Sequence, residues 1–551
     1  MIKRFLYILI SIMMLTSFMN VVAENDTITI NPGDSIQKAV NNIADEGTII
    51  LNPGVYNGDG NYDILIKNKR ISLRSYGDVT IDAIGKGRIF SVANDSTLNL
   101  NNVELTNGYL VGTVNNGASI DNNGTCTVTD SILLNNYAEY GGAAINNNGL
   151  LTVTNSNITY NEARATYRAG VGIRNYGECY IYKTIFDNNI GDGSSSSGGA
   201  IMSAGGKNIE IKDSIFTNNT AGYGGAIYIS SRDTATMINN TFENNRAYKY
   251  GGAVANYGKS DVSDSKFMSN EATFSGALYN NGTIMLDNSI LTGNQATHEN
   301  GTGGGLLNNR VCAITKTNFI ANFANNSGGA VFSSSSDLNV DDCDFNNNVA
   351  RVDGGGINVN GDNSRITNST FESNIANNSG GGISVNGFGT VLDDLSIYYN
   401  NATVSGGGIS LNNSNHTHIG HDLVKSNYAK YGGGISINGG SDNLINDGSI
   451  DSNEAYYGGG LFISNANNVE FLREIISNNV ASVDGGGVYI NNSVETCFVG
   501  GNSVTGNIAS GEGAGIWTNS IFNNCGNSNS IENVNNESYM IFDPPKNPID
   551  W

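Results

Sequence analysis

Ile450-Asp451-Ser452-Asn453-Glu454-Ala455-Tyr456-Tyr457-Gly458-Gly459-Gly460-Leu461 holds the pattern that decides the fold: an apolar residue, Asn three positions later, an x-Ala step, a short polar run, a glycine triplet and an aliphatic anchor. The apolar-x-x-Asn element occurs fifteen times, first read as Ile132–Asn135 and last as Val504–Asn507, with Phe186–Asn189 and Phe371–Asn374 among the copies between. Successive Asn lie 24 to 30 residues apart. Aliphatic anchors follow the glycines in step, from Ile145 and Ile173 through Ile227 and Ile383 to Ile516. A fixed period of this length marks a stacked repeat.

After each anchor comes an alternating or β-branched run, such as Ala226-Ile227-Tyr228-Ile229 or Leu151-Thr152-Val153-Thr154. Bounded by Gly, Asn, Asp and Ser, these runs predict strands of a few residues. A unit of about 26 residues holds three short strands and three turns, and cannot bury a core of its own. Stacking removes the difficulty. The expected fold is all-β: a single-stranded, right-handed parallel β-helix with a short N-terminal capping helix. Each strand pairs with its equivalent one unit away, and about 18 coils make a rod of roughly 85–90 Å. Inward Ile, Val, Leu and Phe form an apolar column, and the Asn amides pass hydrogen bonds along the stack. Glycine before the anchor suits a tight or φ > 0 backbone. Separate β-sandwiches would not hold one phase over this length. A disordered chain would lack the regular apolar anchors.

Residues 1–23 are expected to be a secretory signal: Met1-Ile2-Lys3-Arg4, an apolar run from Phe5 to Met19, then Val21-Val22-Ala23. The run is shorter than a comfortable bilayer span, and no second span follows. Residues 24–551 read as one elongated domain, with a cap over about 30–56, regular repeats over about 100–525 and a polar tail over about 526–551. In the cap, Asp34 is expected to N-cap a helix with Gln37 completing a capping box, and Ile36, Ala39, Val40 and Ile43 share one face. This helix covers the open apolar end that a solenoid must protect. The expected location is extracellular or at the cell surface.

With 28 Lys+Arg against 50 Asp+Glu, the formal charge is −22 and no basic patch emerges. That argues against nucleic-acid partners. Acidic polysaccharides would be repelled unless Ca²⁺ bridged them. No cofactor is expected; Ca²⁺ stays open, although no motif indicates a site for it. Cys126, Cys179 and Cys312 recur six residues after an anchor and read as inward side chains. Cys497 and Cys525 sit nine residues after Val488 and Ile516 on consecutive coils, which predicts a disulfide across one strand spacing. Sequons such as Asn123 and Asn368 make glycosylation feasible in an exported protein.

Three clusters are candidates for chemistry. His416, His418 and Asp422 form a possible metal site, since alternate strand residues share a face; the competing reading is a solvated strand. Asp341, Asp342 and Asp344 are the best carboxylates for an enzyme, which needs them across a cleft; the competing reading is turn and surface aspartate. Tyr223, Tyr250, Tyr431 and Tyr457 precede the glycines on paired coils and can stack as a ligand-binding aromatic edge, or simply stabilise the turn. The units keep nearly constant length, so no coil is marked by a long loop as an active site. The sequence leaves enzyme activity open and favours its absence.

The Phe-x-x-Asn copies, with Gly199-Ala200-Ile201, Gly224-Gly225-Ala226-Ile227-Tyr228 and Gly251-Gly252-Ala253-Val254, resemble the repeats of polymorphic outer membrane proteins. The Asn-rich style is similar to adhesin-like surface proteins. Ser35-Ile36-Gln37-Lys38-Ala39-Val40 with Pro53-Gly54-Val55-Tyr56 is similar to the opening of pectate-lyase-like β-helix proteins. The resemblance spans roughly 30–540 and implies adhesion. The repeats run to about Ile516, where the membrane proteins would have a β-barrel, so barrel anchoring is not implied. No catalytic Arg, Asp or Ca²⁺ motif of the pectinolytic enzymes has a counterpart here. The expected function is adhesion or surface interaction, with glycans or proteins of other cells as partners. A polysaccharide lyase or glycoside hydrolase of the same fold is the alternative, and a structural envelope component a second one.

Overall fold

The computed structural model describes residues 25–112, 116–164, 170–520, 522–523, 525–526 and 528–536. The expected signal segment and the last residues of the tail lie outside them. The chain is a parallel β-solenoid. Each regular coil has four strands rather than the expected three, shown by Ile227–Ile229, Thr234–Ile238, Thr241–Glu243 and Arg246–Tyr250, here called faces 1 to 4. The extra strand is the x-Ala step itself, which is extended and pairs between coils, as in Ala247 with Ala272. Strands pair in parallel with their equivalents one coil on: Ile227 with Val254, Thr234 with Lys259, Phe242 with Phe267. Among the described residues the ladders of faces 1 to 4 contain 19, 20, 19 and 16 strands.

Alternation fixes which residues turn inward. Along Thr234–Ile238, Ala235 and Met237 are buried while their neighbours are partly exposed. Repeated on faces 1 to 3, this builds one hydrophobic column from Ile30 to Ile516. Face 3 supplies its largest members. The rings of Phe186, Phe216, Phe242 and Phe267 stack at 4.9, 4.8 and 4.7 Å, with interplanar angles of 4°, 11° and 4°. Each such ring contributes about 1.5–3 kcal/mol through burial.

The corners are made by left-handed residues. Asn239 (φ 54°) turns face 2 into face 3, and Asn244 (φ 54°) turns face 3 into face 4. Asn and Asp tolerate this region best among residues with a Cβ. The glycine pair does two different jobs. Gly380 has φ 66°. A Cβ on Gly381 would stand 2.3 Å from the carbonyl oxygen of Gly407 one coil on, so this position is fixed by close approach.

The first Asn copy is shifted by one residue from the reading above. Asn135 is an exposed corner residue with φ 54°, and Asn136 is the buried one, in phase with Leu133. The helix α1 (Ile36–Asn42) is capped by Ser35, whose side chain accepts from the Lys38 amide; Asp34 instead accepts from the Asn31 amide. Gln37 does not close a capping box: its amide bonds to the backbone of Leu65 and to Asn41. Ile36, Ala39, Val40 and Ile43 are buried over the end of the column. Stacking starts before the regular motif, since Asn25–Ile30 already pairs with Ile43–Leu51. These coils carry apolar alternation without the buried Asn. Pairing also passes residue 525, at Ser530–Ile531 and Val534–Asn536.

Lys69 reaches back from face 2 to the carbonyls of Val40, Asn41 and Ile43, supplying donors that the helix C-terminus lacks. Lys69→Met is therefore expected to destabilise the cap by about 1–2 kcal/mol. Faster amide exchange confined to residues 36–51 would register this; unchanged exchange there would refute it.

Candidate binding surface

The buried Asn of each coil is fully committed. Asn374 donates its Nδ2 to Asn400 Oδ1 at 2.9 Å and to the Phe345 carbonyl at 2.8 Å. Its own Oδ1 accepts from both the backbone N–H and the Nδ2 of Asn348, at 3.0 and 2.9 Å. The same pattern runs from Asn136 to Asn507, leaving no amide valence for a ligand. A second ladder, missed in the sequence, lies two residues after the anchors: Asn122–Asn147–Asn175 and Asn256–Asn280–Asn308, with Nδ2···Oδ1 distances of 2.7 to 2.9 Å. Its signal was present in Asn147-Asn148-Gly149 and Asn280-Asn281-Gly282.

The candidate carboxylates do not converge. Asp341 ends a face-2 strand and accepts from Asn368 at 2.7 Å and Thr367 at 2.8 Å on the next coil. These hydrogen bonds hold its carboxyl below the usual range. Asp187 receives Thr217 and Asn218 in the same manner, and Asp451 receives Ser477 and Asn478. Asp341 is thus one copy of a recurring clasp between coils. Asp342 is a left-handed corner residue (φ 54°), and Asp344 starts a face-3 strand with its side chain outward.

The histidine cluster is likewise separated. His416 is a corner residue (φ 53°) whose ring lies tilted against Phe388, with centroids 4.7 Å apart. His418 bonds to Asn446 Oδ1. Asp422 turns inward, is 4% exposed, and accepts from the Leu395 amide at 2.6 Å. The metal reading fails because the chain rounds the corner between His418 and Asp422. Among the described residues no group of three or more His, Cys, Asp or Glu is arranged to hold a metal ion. Cys126, Cys179 and Cys312 are buried thiols, and burial pushes the first two up to about 12. Cys497 and Cys525 have Cα atoms 5.9 Å apart with their sulfurs joined. The face-2 register pairs Cys497 with Asn523, so equal offset from the anchors is not equivalence in the ladder.

The four tyrosines do come together with others. Tyr223 and Tyr250 stack at 6.0 Å, and Tyr250 continues to Phe274 at 5.1 Å and Tyr279 at 4.5 Å. Tyr257 joins Tyr228 and Tyr279. Lys249 Nζ lies 4.8 Å over the Tyr223 ring and donates to the Tyr223 hydroxyl at 3.0 Å. Farther along, Tyr431 and Tyr457 stack at 5.8 Å, and Phe462, Tyr489 and Trp517 extend the surface, the last two at 4.2 Å and 7°. Lys430 lies 5.0 Å from the Tyr431 ring centroid. Thus two aromatic platforms, half-buried apart from the buried Tyr279, occupy face 1 and the edge where face 4 turns into it. Between the platforms the residue after the anchor becomes Asn358, Ser384 and Ser410. Sequence reading missed the half of each platform that follows the anchor. Tyr228, between inward Ile227 and Ile229, reads as an ordinary strand residue.

Residues 87–267 match the family described as right handed beta helix region. The probable autotransporter YfaL of Escherichia coli (strain K12) is 32% identical over 173 residues, which span 29% of this chain and 13% of that protein. Among solved structures, a PL6 family alginate lyase, AlyGC, is 11% identical with a TM-score of 0.27, covering 92% of this chain and 99% of that one. The Streptococcus pneumoniae surface adhesin PfbA is also 11% identical, with a TM-score of 0.16, covering 86% and 88%. At these TM-scores the superpositions carry no inference about chemistry. The fold is a right-handed parallel β-helix. No helix among the described residues is long and apolar enough to cross a membrane.

Proposed function

We propose that this chain is a surface-exposed β-helix rod that adheres to glycans or proteins of other cells through the two aromatic platforms. The observation that supports this reading is the concentration of half-buried Tyr, Phe and Trp on one edge, with a Lys over a turn Tyr in each cluster. Aromatic rings present large, rigid contact area at low entropy cost and dominate binding hot spots. Tyr250 and Tyr431 lie seven coils apart, roughly 34 Å at the strand spacing. A single extended partner, or two neighbouring surface groups, can engage both, which multiplies weak contacts.

Purified protein on a glycan array and on whole cells tests this. Tyr250→Ala with Tyr457→Ala, in one chain, is expected to reduce binding at least about thirtyfold, as loss of a 2 kcal/mol hot spot would. Unaltered binding by a folded double variant would remove the platforms from the account. The same preparation incubated with uronate polymers and Ca²⁺ is expected to release no new sugar ends; release abolished by Asp341→Asn would establish the enzyme instead.

A further inference from the structure

One column of polar side chains lies at the corner between faces 2 and 3. Its usual members are hydroxyls with a fixed pair of duties. Ser265 Oγ accepts from the Asn240 amide at 3.2 Å and donates to the Ser263 carbonyl at 2.8 Å. Ser289 accepts from Ser265 and donates to Asp287. Ser369 accepts from Cys343 and donates to Thr367. The position therefore calls for an acceptor toward the preceding coil and a donor toward its own strand.

Toward the C-terminus two acids take this place. Asp422 Oδ1 accepts from the Leu395 amide at 2.6 Å, and its Oδ2 is buried with no hydrogen-bond partner. Glu474, 1% exposed, accepts at Oε2 from the Gly448 amide at 3.0 Å. The intervening coil has Gly448 in the column, and that absence of a side chain admits the longer glutamate. A Cβ on Gly448 would stand 3.1 Å from Glu474 Oε1 and 2.8 Å from the Asp422 carbonyl. Glu474 thus reaches through the gap toward the Asp422 coil.

An ionised carboxylate only accepts; a protonated one accepts through its carbonyl and donates through its hydroxyl. The charged groups nearby do not favour ionisation. Asp393, Asp394 and Glu474 bear on Asp422, and Asp447 bears on Glu474. The neighbouring cations are engaged outside: Arg473 with Asp447, and His421 and Arg365 with Asp393. Glu470, also buried, sits on face 2 in register with Leu444 and Cys497. We infer that Asp422 and Glu474 are held as neutral acids in this buried column, so that their ionisation opposes the packing of their coils and the C-terminal part of the rod tightens in acid and loosens as pH rises.

Burial pushes Glu474 up to about 8, and Asp422 well above its ordinary value. The sign follows. Both groups bind protons more tightly folded than unfolded. Their contribution is complete below the unfolded carboxyl range near pH 4, and is lost as pH rises toward the folded value. Each group changes the local opening constant by up to about tenfold per pH unit within that window. This inference does not depend on the adhesive reading.

Hydrogen exchange on the full chain at pH 5.5 and 8.5, corrected for intrinsic rates, tests it. Coils over 130–320, whose column has no acid, serve as the internal reference. Protection over 395–502 is expected to fall at least about tenfold relative to that reference at pH 8.5. Glu474→Gln with Asp422→Asn, which keeps acceptor and donor without charge, is expected to abolish the difference. The single variant Glu474→Gln, should the pair fold poorly, is expected to reduce it. Equal pH dependence in wild-type and amide variants would overturn the inference. So would protection restored at pH 8.5 by Ca²⁺ and lost with a chelator, which would make the pair a cation site.

Discussion

Asn374→Ala is expected to cost the middle coils about 3–5 kcal/mol, more than an ordinary lost hydrogen bond. Alanine leaves the backbone N–H and the Nδ2 of Asn348 without their shared acceptor, and takes a donor from the Phe345 carbonyl. These groups are buried in the corner, where an unmade bond costs the desolvation of the group, about 1–3 kcal/mol each. Asn400 Oδ1 keeps the Asn374 backbone N–H, which limits the damage on that side. The comparison is Asn386→Ala, an exposed Asn whose amide meets Asn360 Oδ1 at 2.7 Å. That change is expected to cost less than about 1 kcal/mol. Because a solenoid opens coil by coil, exchange protection near the substitution is the proper readout alongside a urea midpoint. Equal losses for the two variants would mean that the ladder is solvated and contributes little.

Phe345→Ala is expected to be as severe, at about 3–5 kcal/mol. The ring lies between Phe319 and Phe371, with centroids at 4.9 and 4.6 Å and interplanar angles of 5°. Truncation loses burial, two stacked contacts and the packing of the space left behind. Phe345→Leu is expected to cost only about 1–1.5 kcal/mol. The column already accepts Leu291, Ile397 and Val424 at this position in other coils. Chemical unfolding of the two variants decides it: an alanine variant no worse than the leucine one would show that the coils collapse around the gap.

The solenoid was legible because its two strongest constraints recur once per coil: the inward Phe, Ile or Leu, and the buried Asn three residues later. Details failed where the local pattern has two phases or too few residues. Ile132-Leu133 and Asn135-Asn136 are both doublets, and only burial separates Leu133 and Asn136 from their neighbours. The fourth strand is not legible in the sequence because most of its copies, such as Glu271–Ala272 and Gln295–Ala296, have two residues, too few to show alternation. In the sequence Asp422 reads as a partner of nearby histidines, yet the corner at His421 turns its side chain into a column made mostly of Ser, Thr and Asn. Tyr223, Tyr250, Tyr431 and Tyr457 were found from their place before the glycines. Their companions Tyr279, Phe462, Tyr489 and Trp517 were hidden by being normal strand formers.

Each coil gives its Asn donors to the next coil and receives the same from the one before, and every face repeats its register. Loss or gain of one entire coil therefore leaves the strand pairing and the ladder of Asn136 to Asn507 intact, because the new neighbours present the same groups there. Loss of a single residue reverses the inside and outside of a strand. Inheritance can thus lengthen or shorten the molecule in whole coils with little penalty at the junction. Each such step between the two aromatic platforms moves them nearer or farther by one strand spacing, about 4.8 Å, so the span between them is adjustable by duplication alone.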